Sequence, residues 1–306
     1  MILVDPPRWP AHGTLFSHLV SDTSLSELHE LATRIGLNPR AFDHDHYDLP
    51  QRLYRAAVAA GAVEVTAPEL VKRLLASGLR VRTPDKTPTR AAARDRLPAH
   101  WARLGLGVDL FGELVARWSE QHRHYHDVRH LVATLNALDV LDAAGEAWAG
   151  SRSVRLAAWF HDAVYEGVAG QDEERSAVLA RELLVGLPEV DEVVRLVELT
   201  AGHAPVAGDD AGAALCDADL AILGSVPGRY DVYVRDVRLD YDHVDDASWA
   251  WGRTAVLTSL LALDPLYRTA TAATLWAEQA RANLARERDR WTNGAPGPGS
   301  PALSGT

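Results

Sequence analysis

The sequence predicts an α+β protein, in which a small α/β domain over residues 1–82 is followed by an all-α domain over residues 98–292. Residues 1–82 alternate between short apolar runs of strand length and segments with helical apolar spacing, whereas the periodicity after residue 97 is helical throughout. The stretch VRTPDKTPTR breaks both patterns, so residues 83–97 are predicted to be a linker. The Gly-, Pro- and Ser-rich residues 293–306 are predicted to be a disordered tail.

Local patterns predict the elements of the first domain. A helix is expected over residues 24–36, where apolar side chains recur at helical spacing and Ser24 and Glu27 form a capping-box pattern. The remaining elements are helices over 50–61 and 67–78, which both end in glycine, and strands over 1–4, 40–42 and 62–66. This alternation of strands and helices predicts a partly parallel sheet.

The second domain is predicted to be entirely helical, because its apolar residues follow the helical period and strand-like alternation is missing from its sequence. Its amphipathic segments are 109–121, 127–143, 151–161, 172–186, 189–202, 228–243, 248–263 and 271–291.

Composition limits the classes of function. The chain has 306 residues and a net charge of −11, which argues against a long nucleic acid as partner but leaves a small anionic substrate open, because a bound cation reverses the local sign. Neither a membrane-spanning run nor a signal-peptide pattern is evident, and Cys216 is the single cysteine. These features predict a cytoplasmic protein without disulfides and without membrane association. The oligomeric state is left open.

The stretch HRHYHDVRH, residues 122–130, is unusually rich in histidine. His126 and His130 are spaced i, i+4, which on a helix places both on one face, with His122 one turn earlier and His124 pointing elsewhere. Taken alone, the spacing fits either a metal-binding pair or a solvated, histidine-rich helix end.

Two further stretches place acids and histidine in apolar surroundings. In LAAWFHDAVYEG the apolar helix carries His161 and Asp162 toward the interior, where either a metal ion or a buried His–Asp hydrogen bond would satisfy them. In ALCDADLAILG, Asp217 and Asp219 lie within an apolar run. Helix capping accounts for one of these carboxylates, and a cation is the more economical explanation for at least one of them.

Read together, the stretches form an ordered H…HD…D set, and residues 100–291 resemble the HD-domain superfamily of metal-dependent phosphohydrolases. The resemblance extends to a bacterial subfamily of predicted phosphohydrolases. It rests on the motifs R-x-Y-H-x-x-x-H from Arg123, FHD-x-x-Y from Phe160, T-x-x-H from Thr200 and D-A-D-L-A-I-L-G over 217–224, and on E-x-x-S-A, R-x-D-Y, G-R and A-R-x-N-L-x-x-E farther along. The chain departs from the usual pattern at two positions. Asp127 stands where Asn is common, and Asp172 stands where Asn commonly precedes glutamate.

The resemblance implies a metal site and a reaction. His130, His161, Asp162 and one of Asp217 and Asp219 would bind the ion, with Asp219 as the first choice. Imidazole and carboxylate ligands suit one or two ions of Mn, Fe, Co, Ni or Zn. A metal-bound hydroxide would then hydrolyse a phosphoester of a small molecule, with nucleotides as a candidate class.

The resemblance also implies roles for residues around the ion. His126 would protonate the leaving oxygen, as in the similar segment of cyclic-nucleotide phosphodiesterases, and Asp162 would bridge to a second ion where one is bound. Glu173 and His203 would support a second ion or orient the ligands. The candidates for phosphate binding are Arg123, Arg238, Arg253 and Arg281. Each of these residues also has a purely structural interpretation.

Two other functions stay open for the helical part. Some HD proteins hold two irons and oxidise their substrates with O₂, and this chain would follow them if it bound two irons. The other possibility is a sensor or binding module that retains the metal without turnover. The N-terminal part, residues 1–82, resembles a small bacterial domain of unknown function through VDPPRWPAHG, SHLVSDTS and FDHDHYDLP. Its histidines and acids lie at strand ends and before helices, which predicts either a second metal or nucleotide site or turn and capping roles.

Overall fold

In the computed structural model, residues 1–168 and 171–292 are described, and the predicted tail over 293–306 lies outside them. The predicted fold class is confirmed: a small mixed α/β region comes first and an all-helical region of about ten helices follows within the described residues. The chain divides into two compact units. Among the described residues, the first comprises 1–87, 226–258 and 285–292, and the second comprises 88–168, 171–225 and 259–284. The predicted domains follow chain order, whereas the first unit also takes in part of the helical region.

The first unit contains a five-stranded mixed sheet. Its strands are β1 (Ile2–Val4), β2 (Trp9–Ala11), β3 (Thr14–Ser21), β4 (Tyr47–Pro50) and β5 (Val63–Glu64). The order is β2-β3-β1-β5, and β4 pairs with β3. Only the β1–β5 pair is parallel, and the other pairs are antiparallel. The prediction of a partly parallel sheet is therefore confirmed, although β2, β3 and β4 were not among the predicted strands.

The strand predicted over residues 40–42 is wrong. Pro39–Ala41 form a 3₁₀ helix, and only Phe42 makes an isolated bridge, to Tyr47. The reason is local: Asn38 accepts a hydrogen bond from the backbone N–H of Arg40, and the proline that follows Asn38 fixes a helical φ angle.

Three helices cover the sheet of the first unit: α1 (Leu25–Arg34), α2 (Gln51–Ala59) and α3 (Ala67–Ala76). Ser24 caps α1 as predicted, because its side chain accepts a hydrogen bond from the backbone N–H of Glu27. The apolar faces of α1 and α2 contribute to a core beneath one side of β3, which includes Leu19. The face of α3 packs against Val20 on the opposite side of the strand.

The remaining helices are α4 (Arg90–Arg94), α5 (Leu97–Ala102), α6 (Val108–Arg117), α7 (Val128–Ala143), α8 (Arg152–Phe160), α9 (Gln171–Leu183), α10 (Val190–Leu199), α11 (Asp210–Asp219), α12 (Pro227–Asp240), α13 (Asp246–Ala262) and α14 (Ala270–Thr292). The predicted linker over 83–97 contains a 3₁₀ turn and α4, and α11 was not predicted as a separate helix. In the second unit, α8 is buried along almost its whole length. It packs against α7, α10 and α11.

The start of α7 corrects the prediction for the histidine-rich stretch. The helix begins at Val128, and Asp127 is its N-cap, with a carboxylate that accepts the backbone N–H of Arg129. His122 and His126 therefore lie in the preceding loop and do not share a helical face with His130. The physical reason is that an aspartate in extended conformation satisfies free N–H groups at a helix start and ends the helical periodicity on its N-terminal side.

Within the described ranges, no helix has both the length and the hydropathy that crossing a membrane requires.

Candidate metal centre

Four side chains from three helix ends meet in the second unit. His130 lies in the first turn of α7, His161 and Asp162 follow the last residue of α8, and Asp219 is the last residue of α11. The two imidazoles are almost completely buried, and both carboxylates are about nine-tenths buried. Since an unpaired charge is costly in such surroundings, these groups require one another or a cation.

The distances between the side-chain atoms are short and similar. His130 Nε2 lies 3.1 Å from His161 Nε2 and 2.9 Å from Asp219 Oδ1. His161 Nε2 lies 3.3 Å from Asp162 Oδ2 and 3.4 Å from Asp219 Oδ1, and the distance from His130 Nε2 to Asp162 Oδ2 is 3.6 Å. His130, His161 and Asp162 thus form one group whose ligand atoms lie within 4.8 Å of one another, and Asp219 Oδ1 lies within 3.4 Å of both imidazoles.

The separations of the imidazole nitrogens from each other and from the carboxylate oxygens fit the ligands of a single transition-metal ion. Two ligand atoms that each lie about 2.1 Å from an ion are about 3.0 Å apart at a right angle and about 3.4 Å apart at the tetrahedral angle. The observed range, from 2.9 to 3.6 Å, covers both values. Two imidazole nitrogens and two carboxylate oxygens also form a donor set that suits Mn, Fe, Co, Ni or Zn better than Ca.

The orientation of the His161 ring supports the same interpretation. Its Nδ1 lies 2.9 Å from the carbonyl oxygen of Ala158, an atom that only accepts hydrogen bonds, so Nδ1 carries the proton. In the neutral ring, Nε2 then has a lone pair that points at the cluster. A backbone carbonyl that fixes the tautomer in this way is a common feature of metal-binding histidines.

Electrostatic interactions couple His161 to the carboxylates of Asp162 and Asp219. Burial disfavours the charged form of His161, but the nearby carboxylates of Asp162 and Asp219 outweigh burial and raise the pKa of this imidazole well above its usual value. Burial likewise opposes ionisation of both acids, and the charge of His161 outweighs it and lowers the pKa of each carboxyl. The two carboxylates thus favour a positive charge at this position.

Asp217 and Asp219 point into different environments. The Asp217 carboxylate accepts the backbone N–H groups of Arg268 and Thr269, just before α14, at 2.7 to 3.0 Å. Burial raises the pKa of this carboxyl. Asp219 instead faces His130 and His161. The structure therefore brings Asp219, the first choice from the sequence, together with the histidines, and it gives Asp217 a backbone-capping contact.

His203 reaches the same carboxylate from another direction. It follows α10 with a φ angle of 48°, and its Nε2 lies 2.7 Å from Asp219 Oδ2. The two oxygens of Asp219 thus contact different imidazoles, with Oδ1 toward His130 and His161 and Oδ2 toward His203.

His126 lies beside the cluster in the loop before α7. Its ring is 5.7 Å from the His130 ring and stacks on Tyr165, with 4.2 Å between centroids and an interplanar angle of 24°. Tyr165, which the FHD-x-x-Y motif already contained, also provides the carbonyl oxygen that lies 2.9 Å from His122 Nε2. His126 is half-buried, so its imidazole stands between the cluster and the loop surface.

The side chain of Arg123 connects the loop before α7 to the turn after α8. Its guanidinium is completely buried and donates to the carbonyl oxygens of His126, Asp162 and Ala163 at 2.6 to 3.2 Å. It also lies over the rings of Trp118 and Tyr165. These contacts join the histidine loop to the His161–Asp162 turn, and they make Arg123 a positioning residue.

The other predicted arginines and Glu173 have different surroundings. Arg253 pairs with the buried Glu287, and Arg238 donates to two backbone carbonyls and to Asp246, both within the first unit. Arg281 donates to the carbonyls of Leu261 and Leu263. Each of these three guanidinium groups therefore already has acceptors within the protein. Glu173 is half-buried in the first turn of α9.

The sequence reasoning missed Trp118. Its indole N–H donates to the carbonyl oxygen of Trp159 at 2.9 Å, and its ring lies 5.4 Å from the ring of His161. Trp118 thereby holds the end of α8, from which His161 extends. A single tryptophan after an amphipathic helix gives no signal of such a role, because any buried tryptophan shows the same pattern.

Residues 2–77 match the family described as Protein of unknown function (DUF4031). This family covers the N-terminal part alone, and it confirms the predicted likeness of that part to a domain of unknown function. No curated protein and no solved structure is significantly similar to the chain. These comparisons give no support to the resemblance of the helical part to HD phosphohydrolases, which stays a prediction from its motifs.

Proposed function

We propose that the second unit is a metal-dependent phosphohydrolase that acts on a small phosphorylated molecule, with nucleotides as the first class to test. The observation that carries the proposal is a buried cluster at three helix ends: His130, His161 and Asp162 each offer a ligand atom within 4.8 Å of the other two, and Asp219 Oδ1 lies 2.9 and 3.4 Å from the two imidazoles. The ordered H…HD…D resemblance supports the same reaction class, and the net charge of −11 favours a small substrate over a long nucleic acid.

The four cluster residues would hold the ion, and each contributes a stated atom. His130 and His161 offer Nε2, Asp162 offers Oδ2 and Asp219 offers Oδ1. A divalent ion bound there polarises a phosphoryl oxygen and lowers the pKa of water that it contacts. The aromatic ring of Trp118 packs beside both imidazoles and limits their movement.

His126 is the residue of this chain that we assign to proton transfer. Stacking on Tyr165 fixes the plane of its ring. The ring also lies 5.7 Å from that of His130, a member of the cluster. Histidine titrates near neutral pH, so a protonated His126 would donate to the leaving oxygen of the substrate. Arg123 holds the carbonyl oxygen of His126 and thereby sets the position of the loop.

The decisive experiment is a reconstitution of the full chain. The protein is stripped with a chelator and supplied in turn with Mn²⁺, Fe²⁺, Co²⁺, Ni²⁺ or Zn²⁺. Phosphate release is then measured on a panel of phosphomonoesters and nucleotides. We expect at least one ion to give turnover with wild type and none with His161→Ala, because this change removes a buried ligand. His243→Ala, at an exposed histidine, is the matched control and should keep full activity.

Equal phosphate release by wild type and His161→Ala would refute the proposed site. A protein that binds metal stoichiometrically but releases no phosphate from any substrate would instead indicate a sensor or binding module.

One observation favours a second candidate, a di-iron oxygenase. Asp219 contacts His130 and His161 through Oδ1 and His203 through Oδ2, so its carboxylate has the geometry to join two ion positions. A protein with this function would bind two irons per chain and consume O₂ in the presence of substrate. Iron content and oxygen consumption, measured beside phosphate release, separate the two functions.

A further inference from the structure

A second group of histidine and aspartate side chains lies on the sheet of the first unit. The antiparallel register of β3 and β4 places His18 directly opposite Asp48. His46 lies immediately before β4, two residues ahead of Asp48. The His18 and His46 rings are 5.3 Å apart. His18, His46 and Asp48 each offer one ligand atom within 4.8 Å of the other two.

Each histidine of this group is oriented by its own buried carboxylate. Asp5 Oδ2 lies 3.1 Å from His18 Nδ1, and Asp45 Oδ1 lies 2.7 Å from His46 Nδ1. Both acids are only 1% exposed. An ionised carboxylate only accepts hydrogen bonds, so Nδ1 of each ring carries a proton. The Nε2 atoms of the neutral rings then have lone pairs.

Backbone contacts hold the two carboxylates in place. Asp5 follows β1 and accepts the backbone N–H of His18 through Oδ1 at 2.5 Å, while Asp45 accepts the backbone N–H of Val81 through Oδ2 at 2.7 Å. Arg80 lies 3.3 Å from Asp45 and balances part of its charge. The orientation of the rings is therefore built into the sheet and its connections.

The carboxylate on the other side of the rings is different. Asp48 is about half exposed, and its Oδ1 lies 3.7 Å from His46 Nε2. His18 is about one-third exposed, so the group opens to solvent on this side. The Nδ1 atoms of both imidazoles face buried acids, and the Asp48 carboxylate lies beside Nε2 of His46. Metal-binding histidines are commonly oriented by carboxylates in this way.

We propose that His18, His46 and Asp48 form a second binding site for a divalent transition-metal ion. Three protein ligands leave positions open toward solvent, which suits an ion that also binds water or a small anionic ligand. The two-histidine, one-carboxylate set favours Zn²⁺, Fe²⁺, Co²⁺ or Ni²⁺ over Mg²⁺ and Ca²⁺. Of the histidines and acids that the sequence marked in this part, only these three form the site, and Asp5 and Asp45 position it.

The test uses the full chain with His161→Ala, which removes a ligand of the centre in the second unit. The stripped protein is titrated with Co²⁺, followed by calorimetry and by visible absorption, a readout that requires no activity. We expect one equivalent to bind with the spectrum of mixed nitrogen and oxygen ligands. Adding His46→Ala should abolish this binding, whereas adding His243→Ala should leave it unchanged.

Two milder variants keep the result interpretable if His46→Ala fails to fold. Asp48→Asn changes a half-exposed side chain, and we expect at least a tenfold weaker Co²⁺ affinity from the loss of a charged ligand. Asp45→Asn keeps an oxygen for the Val81 N–H but weakens the orientation of His46, and we expect a loss of about 10- to 100-fold. Unchanged Co²⁺ affinity in both folded variants, or no Co²⁺ binding by the parent, would overturn the proposal. Either result leaves the test of the second unit unaffected.

Discussion

Asp219 Oδ1 lies 2.9 Å from His130 Nε2, whereas Asp217, two residues earlier on the same helix, turns its carboxylate to the backbone N–H groups before α14. The two acids are alike in sequence surroundings and differ in partners. The contrast allows a matched pair of substitutions, Asp217→Asn and Asp219→Asn. Each replaces one carboxylate oxygen by an amide nitrogen at the end of α11.

We expect Asp219→Asn to reduce phosphate release at least a hundredfold and to lower the metal content, because a charged ligand is lost. Asp217→Asn should retain the metal and most of the activity, since an amide oxygen still accepts the N–H groups of Arg268 and Thr269. Elemental analysis and steady-state kinetics check both variants. The reverse outcome, with metal lost from Asp217→Asn alone, would show that the ligand has been assigned to the wrong aspartate.

His126 is expected to affect chemistry without affecting metal binding. Replacement by glutamine removes the proton donor, and we expect kcat to fall about 10²- to 10⁴-fold on an alkyl phosphate. On 4-nitrophenyl phosphate, whose leaving group departs without protonation, the loss should be much smaller. Metal content should match wild type. An equal loss on both substrates would argue for a role in orientation only.

The buried Arg123 side chain is expected to contribute strongly to the free energy of unfolding. Its buried guanidinium holds the carbonyl oxygens of His126, Asp162 and Ala163, so Arg123→Met should lower the free energy of unfolding by about 3 kcal/mol or more. Arg117, which forms a partly exposed pair with Glu113, is the control, and Arg117→Met should cost less than about 0.5 kcal/mol. Urea denaturation measures both. Similar costs for the two variants would contradict the positioning role.

The buried contact between His29 and Asp231 predicts that the stability of the first unit depends on pH. His29 Nε2 lies 3.1 Å from Asp231 Oδ2, and both side chains are almost completely buried. Burial lowers the pKa of His29 despite this carboxylate, so the unfolded chain binds the proton more readily than the folded one. The free energy of unfolding should therefore decrease as pH falls below about 6.5, the usual pKa of histidine.

The comparison of wild type with His29→Gln isolates this contribution from the other histidines. Between pH 7.5 and 5.5 the wild type should lose stability more steeply than the variant, by at most about 1.4 kcal/mol per pH unit for one proton. Urea unfolding at several pH values provides the measurement. Parallel pH profiles would show that His29 takes up its proton equally in both states.

The sequence alone predicted the fold class and most helices. Apolar periodicity is a local property, so α1, α2 and α3 of the first domain and the longer helices of the second could be read from it. It also singled out His161, Asp162 and the pair Asp217 and Asp219, because charged residues inside apolar runs need partners wherever they lie. The choice of His130 and Asp219 as ligands came from the resemblance to HD proteins. The same reasoning failed in the loop before α7, where Asp127 as N-cap removed His126 from the helix.

Only the tertiary structure decided which groups meet. The choice between Asp217 and Asp219 depends on which helix ends converge, and the contact of His203 with Asp219 depends on the turn after α10. The pairing of His18 with Asp48 depends on strand register, which residues far apart in the chain determine together. Local patterns encode the elements, but side-chain partners arise from the packing of those elements, and a single sequence does not specify these distances.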